Sequence, residues 1–290
     1  MRSWDRKTIL NYLFEASRIA LEIKKDPKTI AKADKSAVTL ADGLIEKFLT
    51  KALAEDSCPL VGEETSPEKG AGFLADALKG DCWIVDPIDG TANFAAAYDM
   101  WAVSIGFAGG GILREGAVYL PEKGDILMTD GEKVLHGISV NPDSSAEMEE
   151  TLRELSPAEK KYQVFSLLNL SQKFCRKARI TLPNPVLAVG SCVAAGVTLA
   201  KGMDLAYITS AKLWDLAGIL PSLQRLGFKS AALNPVPGKS NMEITSCRIL
   251  PEYYKMDFGA KDAFALNRTV ILCRDEETIR ILQEGIDFPE

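Results

Sequence analysis

Two segments near the N-terminus repeat apolar residues at every third or fourth position. They are residues 7–24, with Ile9 and Leu13 among the apolar positions, and residues 39–54, with Leu44. This spacing puts the apolar side chains on one face of a helix. The pattern therefore predicts two amphipathic helices, joined by a polar, lysine-rich loop.

Shorter apolar segments rich in β-branched and aromatic residues predict strands, and they are residues 58–62, 83–86, 101–108 and 112–120. The last two flank the triplet Gly109–Gly111, which predicts a hairpin turn, because a phosphate-binding loop would open a helix instead. Residues 67–80 carry only a few apolar positions, so they predict a connector.

Strand-like and helix-like segments alternate in the second half. The predicted strands are residues 185–189, 204–208, 228–233 and 270–273, and the predicted helices are residues 191–201, 214–226 and 276–284. A polar, acidic stretch at residues 141–161 precedes them. This mixture predicts an α/β or α+β layered sandwich. We expect one module, residues 1–290, with subdomains of about 1–140 and about 141–290.

Composition excludes several classes of protein. The formal net charge of −6, without a long basic run, argues against a nucleic-acid surface. A single histidine, His136, excludes a zinc site built on several histidines. The six cysteines form no CxxC pair, which is typical of reduced thiols in a cytoplasmic protein. The longest apolar run, residues 186–200, is too short to span a bilayer, and no signal peptide is visible.

Two aspartates lie three positions apart where the predicted strand 83–86 ends. Pro87 keeps Asp86 extended, and Gly90 permits a backbone angle that other residues adopt only with strain. The amides after Gly90 can converge on an anion at a helix N-terminus. Asp86 and Asp89 thus offer hard oxygen ligands to Mg²⁺ beside a phosphate cradle, although aspartates that cap a turn fit the same pattern.

Other carboxylates at the ends of predicted elements favour the metal site over the capped turn. Glu63 follows the predicted strand 58–62, and Asp215 lies in the first turn of the predicted helix 214–226. Asp42 lies in the first turn of the second amphipathic helix, where a carboxylate is favourable against the helix dipole. We therefore expect these side chains to gather around Asp86 and Asp89.

The segment Asp86–Thr91 (DPIDGT), together with Trp214–Gly218 (WDLAG), resembles the two-part signature of the inositol monophosphatase family. This family of magnesium-dependent, lithium-sensitive phosphatases also includes fructose-1,6-bisphosphatases and 3′-phosphoadenosine-5′-phosphate phosphatases. Further matching segments follow in the family's order, and they are Val38–Asp42, Gly62–Glu64, Val189–Ser191 and Gly202–Asp204. The resemblance covers about residues 10 to 230. It implies an αβαβα sandwich of two subdomains, with the metals at their interface.

The resemblance also implies a role for each matching residue. The implied metal ligands are Glu63, Asp86, Asp89, Asp215 and the carbonyl of Ile88, holding two or three Mg²⁺ ions, with Mn²⁺ as a substitute. Glu63 and Thr91 would orient a metal-bound water, and Asp42 would support Thr91. The substrate-side residues are expected to be Gly90, Thr91, Asp89, Ser191 and Asp215. N-capping of a helix is the alternative for Ser191.

The implied activity is hydrolysis of a small phosphate monoester by metal-activated water, in a homodimer. Inositol-specific members carry an acid shortly before the tryptophan–aspartate pair, but Tyr207–Leu213 contains none. This favours a sugar phosphate such as fructose 1,6-bisphosphate, or a 3′-phosphonucleotide, over an inositol monophosphate. Lys35 is either a surface residue or a contact over the site. The alternative class is an inactive family member that acts as a protein-binding regulator.

Overall fold

The computed structural model describes residues 4–25, 29–31, 37–156, 165–235, 242–244, 264–265 and 269–287. Lys35 lies outside these residues. The helices are α1 (Arg6–Lys24), α2 (Leu40–Leu53), α3 (Ser66–Ala77), α4 (Thr91–Ala95), α5 (Ser145–Thr151), α6 (Gln172–Cys175), α7 (Cys192–Ala200), α8 (Leu213–Ala217), α9 (Leu220–Arg225) and α10 (Glu276–Glu284). None of these described helices is both long and apolar enough to cross a membrane.

The strands, in chain order, are β1 (Thr29–Ala31), β2 (Ala37–Thr39), β3 (Leu60–Gly62), β4 (Asp81–Asp89), β5 (Ala102–Gly109), β6 (Ile112–Leu120), β7 (Asp125–Asp130), β8 (Lys133–Ile138), β9 (Arg153–Glu154), β10 (Leu167–Leu170), β11 (Arg179–Ile180), β12 (Val186–Leu187), β13 (Asp204–Thr209), β14 (Lys229–Pro235), β15 (Met242–Ile244), β16 (Thr269–Cys273) and β17 (Ile286–Asp287).

Most strands belong to two sheets. The first has the order β3-β4-β5-β6-β7-β8-β9, parallel between β3 and β4 and antiparallel elsewhere. The second has the order β12-β10-β13-β16-β14-β15 and is parallel only across its first three strands. The first sheet uses residues 60–154 and the second uses residues from 167 onward. The subdomain boundary near residue 140 stays a proposal.

Neighbouring side chains on a strand point to opposite faces of the first sheet, and helices pack against both faces. Trp83 and Val85 of β4 pack with α1 and α2 on one face of the first sheet. Ile84, between them, faces the opposite way and shares a core cluster with α7, α8 and α9. Tyr207 of the second sheet joins that cluster, so these helices form the middle layer.

The far face of the second sheet completes the sandwich. Phe174 of α6 and Leu282 of α10 pack there against Ile208 and other buried strand residues. The order from one side to the other is therefore helices α1 and α2, first sheet, helices α7–α9, second sheet, helices α6 and α10. The layered αβαβα architecture predicted from the sequence is confirmed.

Some local predictions were wrong. The predicted connector at residues 67–80 contains most of α3, whose first residue is Ser66 and whose second is Pro67. The periodic apolar stretch in this helix is short, because Gly70 has a φ of 76° and interrupts the helix before Phe73. The single helix predicted for residues 214–226 is divided into α8 and α9, and Pro221 lies at the start of the second. Proline cannot donate a backbone hydrogen bond, so it suits a first turn better than a helix interior.

Candidate metal centre

The strand β4 does not end at Asp86, as the sequence predicted, but continues to Asp89 with a bulge. Asp86 pairs with Ser104 and Asp89 pairs with Ala102, so β4 has one residue more than β5 over this interval. In a regular strand, side chains three positions apart point to opposite faces. The extra residue restores a common side, because Asp86 and Asp89 each present a ligand atom to the same cluster.

The third member of this cluster, Asp215, comes from the middle layer. It lies in the first turn of α8, where its Oδ2 accepts a hydrogen bond from the backbone N–H of Lys212 at 2.7 Å. One carboxylate oxygen from each of Asp86, Asp89 and Asp215 lies within 4.8 Å of the others. The structure therefore brings together three of the ligands expected from the sequence.

Burial makes this cluster electrostatically unfavourable without a cation. Asp86 is 1% exposed, and its Oδ1 is a buried atom with no hydrogen-bond partner. Burial raises the pKa of Asp86 well above its usual value, and the nearby carboxylates of Glu63, Asp89, Asp215 and Asp42 act in the same direction. A divalent cation would relieve this repulsion and coordinate the unpartnered oxygen, so the donor set fits a hard metal ion.

Asp89 also fixes the start of α7. Its Oδ1 accepts from the N–H of Cys192 at 3.1 Å, and its Oδ2 accepts from the N–H of Val193 at 2.8 Å and from the Ser191 hydroxyl. Burial raises the pKa of Asp89 to about 6, although these hydrogen bonds oppose the shift. Ser191 Oγ in turn accepts from the N–H of Ala194 at 3.0 Å. The N-capping interpretation of Ser191 is therefore confirmed, and its substrate contact stays a prediction.

The turn after Asp89 depends on Gly90. This residue has φ 89° and ψ 40°, and a Cβ there would lie 3.0 Å from Ser191 Cβ and 3.1 Å from the carbonyl oxygen of Met100. Thr91 begins α4, and its hydroxyl donates to the carbonyl of Ile88 at 3.0 Å. That carbonyl, an expected metal ligand, retains a second lone pair for another partner.

Glu63 and Asp42 lie outside the tight cluster of three among the described residues. Both still act on it, since their charges contribute to the raised pKa of Asp86. Asp42 is 1% exposed in the first turn of α2. Glu63 follows β3, and the Nζ of Lys212 lies 3.8 Å from its Oε1. Their expected roles with water and with Thr91 stay predictions.

A cavity of about 190 Å³ opens beside the cluster, with Asp89 and Asp215 in its wall. Its other lining residues include Asn169, Ser171 and Tyr207 of the second sheet and its loops. The Oδ1 of Asn169 and the Oγ of Ser171 are buried without a hydrogen-bond partner. Sequence reasoning missed both residues, because β10 is only four residues long and carries no motif.

A family model described as "Inositol monophosphatase family" matches residues 6–223. The chain belongs to the inositol monophosphatase family. Inositol monophosphatase 1 of Homo sapiens is 29% identical over 224 residues, which cover 70% of this chain and 74% of that protein. Members of the family are metal-dependent phosphoric monoester hydrolases that act on small phosphate esters.

Solved structures of the family share its fold with this chain. CysQ from Bacteroides thetaiotaomicron superposes with a TM-score of 0.63 at 18% identity, covering 93% of this chain and 97% of that one. An IMPase/NADP phosphatase complexed with NADP and Ca²⁺ gives a TM-score of 0.68 at 18% identity, covering 97% and 96%. At such low identity the similarity establishes the architecture alone.

Proposed function

We propose that this chain is a Mg²⁺-dependent phosphomonoesterase of small phosphorylated metabolites. The observation that supports this most is the cluster of Asp86, Asp89 and Asp215, whose ligand oxygens lie within 4.8 Å of one another. Buried like charges so close together are costly unless a cation joins them. Mg²⁺ suits the site because it binds carboxylates together with substrate phosphate oxygens.

The proposed ligands of two or three Mg²⁺ ions are Glu63, Asp86, Asp89, Asp215 and the carbonyl of Ile88, and Mn²⁺ could replace Mg²⁺. When bound, these ions supply neutralising charge to the phosphate and acidify water. Within this set, the Oδ1 of Asp86 is buried without a hydrogen-bond partner, so a cation would supply the contact that this atom lacks.

The chain's own groups then position the attacking water and the phosphate. The hydrogen of the Thr91 hydroxyl is donated to Ile88, so its oxygen is left to accept a hydrogen bond from water. The carboxylate of Glu63 would take the proton that the attacking water loses, and Asp42 would hold Thr91 in place. The amides of Gly90 and Thr91 would donate to phosphate oxygens.

The cavity beside the cluster is the proposed place of the leaving alcohol. Asn169 and Ser171 line this cavity, and the side-chain oxygen of each is buried without a hydrogen-bond partner. A substrate hydroxyl would supply that partner once the side chain turns toward the cavity. Inositol monophosphates, sugar phosphates and 3′-phosphonucleotides all carry such hydroxyls. Apart from Asp89 and Asp215, the described lining residues include no acid. We therefore favour a sugar phosphate, such as fructose 1,6-bisphosphate, or a 3′-phosphonucleotide.

A phosphate-release panel tests the proposal. Folded protein is assayed with and without Mg²⁺ on inositol monophosphates, sugar mono- and bisphosphates, 3′-phosphonucleotides and p-nitrophenyl phosphate. We expect Mg²⁺-dependent release from at least one natural ester at a kcat/KM well above that for p-nitrophenyl phosphate. Failure on every ester would favour the protein-binding regulator instead.

Three further features are proposed, the first and third from the family resemblance and the second from the scattered cysteines. They are a homodimeric assembly, a cytoplasmic location and inhibition by Li⁺, which would occupy one of the metal positions. Sedimentation equilibrium tests the first, and cell fractionation tests the second. The third is tested by titrating Li⁺ against Mg²⁺ in the same phosphate-release assay.

A further inference from the structure

A second carboxylate on α2, Glu46, lies one turn after Asp42 and is only 1% exposed. Its Oε2 accepts from the backbone N–H of Glu64 at 2.8 Å. Its Oε1 accepts from the backbone N–H of Thr65 at 2.9 Å and from the Thr65 hydroxyl at 2.6 Å. This buried carboxylate therefore contacts the two residues that follow Glu63.

The residue before Glu63 is held as well. The N–H of Gly62 donates to the Oγ of Ser66 at 2.9 Å. A Cβ on Gly62 would lie 2.4 Å from the Cδ of Glu46, so the carboxylate packs directly against this backbone. Glu63 thus stands in the middle of a short segment whose backbone is fixed on both sides.

Glu46 also contacts the residue that precedes α3. Thr65 is the N-cap residue of α3, but its side chain accepts no hydrogen bond from the helix. Its hydroxyl donates to Glu46 instead. Hydrogen bonds to an ionised carboxylate are stronger than hydrogen bonds between uncharged groups. The contacts of Glu46 with Glu64 and Thr65 should therefore hold this turn firmly in place.

We propose that Glu46 is a positioning residue that sets the place of the Glu63 carboxylate relative to Asp86. The inference rests on the proposed function, because it gives Glu63 a role at the metals. Asp42 and Glu46 are four positions apart and therefore share a face of α2. One helix thus presents two buried carboxylates to the candidate site, one of them through the turn that carries Glu63.

The variant Glu46→Gln tests this role with little change of shape. Glutamine keeps one acceptor oxygen, but its NH₂ group faces a backbone N–H. We expect Mg²⁺ affinity, measured by calorimetry without substrate, to fall about 10-fold. We expect kcat to fall about 10- to 100-fold, because mutating a residue that holds a metal ligand in place often has an effect of this size. KM should change much less, since the cavity residues are untouched.

A matched control is Glu115→Gln in β6. Glu115 accepts from the Thr129 hydroxyl and pairs with Arg225 at 3.0 Å, so this change also disturbs a partly buried carboxylate. We expect it to lower thermal stability without changing Mg²⁺ affinity or kcat. A merely structural role of Glu46 would make both variants behave alike, which would overturn the proposal.

Thr65→Val provides a milder test that does not depend on the folding of Glu46→Gln. It removes one donor to Glu46 and keeps the side-chain shape, so the weakening of Mg²⁺ binding should be about 2- to 5-fold. Wild-type Mg²⁺ affinity and kcat in this variant would also overturn the proposal. A wild-type protein without Mg²⁺-dependent turnover would refute the proposed function alone, because Mg²⁺ binding would still report on Glu46.

Discussion

The two sides of the candidate site are built on different principles. The metal side comes mainly from β4, and its aspartates are buried, crowded and fixed by hydrogen bonds such as those from α7 to Asp89. The proposed alcohol side comes from the second sheet and its loops, where the uncharged residues Asn169 and Ser171 line a cavity. Metal coordination requires a fixed set of ligands on the first side, whereas the cavity on the second side can accept different leaving groups.

The largest effect is expected on the metal side from Glu63→Gln. This change preserves size but removes the group that would accept the proton of the attacking water. We expect kcat to fall on the order of 10³-fold. The thermal unfolding temperature should hardly change, because Glu63 is partly exposed, and calorimetry checks this. A near wild-type rate in this variant would refute the role of Glu63.

A smaller effect on the same side is expected from Asp215→Asn. The amide oxygen can still accept from the N–H of Lys212, so the start of α8 should be preserved. Losing the charge should raise the Mg²⁺ concentration for half-maximal activity about 10- to 100-fold. The matched control is Asp125→Asn, whose carboxylate pairs with Lys201 at 2.7 Å, and it should leave the Mg²⁺ titration unchanged. Equal titrations for both variants would contradict the assignment.

The pH dependence of stability tests whether the metal side is unfavourable without cations. The pKa of Asp89 is raised to about 6 and that of Asp86 is raised well above its usual value. The folded state therefore binds protons more tightly than the unfolded chain. This contribution to stability is complete below the unfolded pKa of about 4 and is lost as pH rises through the folded values.

Metal-free protein should consequently unfold at a temperature a few degrees lower at about pH 7 than at about pH 5. Saturating Mg²⁺ should remove this difference, because the cation replaces the protons. Scanning calorimetry with and without Mg²⁺ measures it. In metal-free protein, Asp86→Asn should reduce the change in unfolding temperature between about pH 5 and about pH 7. If this change is the same as in the wild type, groups other than Asp86 cause the pH dependence.

The smallest effect is expected on the alcohol side from Ser171→Ala. Removing one uncharged hydrogen-bonding group from a binding site should raise KM for the natural ester about 3- to 10-fold. The rate on p-nitrophenyl phosphate, which has no hydroxyls on its leaving group, should stay the same. A parallel change on both substrates would show that Ser171 supports the fold and does not contact the alcohol.

The same contrast explains how much the sequence could predict. Asp86, Asp89 and Asp215 were predictable as a set, because they belong to the two segments, DPIDGT and WDLAG, that match the two-part family signature. The hairpin of β5 and β6 and the helix α10 were predictable from local patterns. Asn169 and Ser171 were not, since nothing in a four-residue apolar strand indicates which cavity it borders.

Other features were missed for local reasons. The helix α3 is interrupted at Gly70, so the helical spacing of its apolar residues is confined to the short stretch Phe73–Leu78. The bulge in β4 depends on pairing with β5, which no single strand reveals. Glu46 did leave a signal, as a charged residue on the buried side of an amphipathic helix. Its meaning depends on the turn at Glu64 and Thr65, which only the folded chain brings near.

The bulge in β4 also bears on how such a chain can diverge. Surface loops tolerate added residues at small cost, and the segments around the cavity can change with the substrate. The interval from Asp86 to Asp89 has no such freedom. A deletion there would restore a regular strand and remove the extra residue that a bulge leaves unpaired. An insertion would shift the side to which the second aspartate points. We therefore expect a change of length in this interval to alter the geometry of the metal side directly.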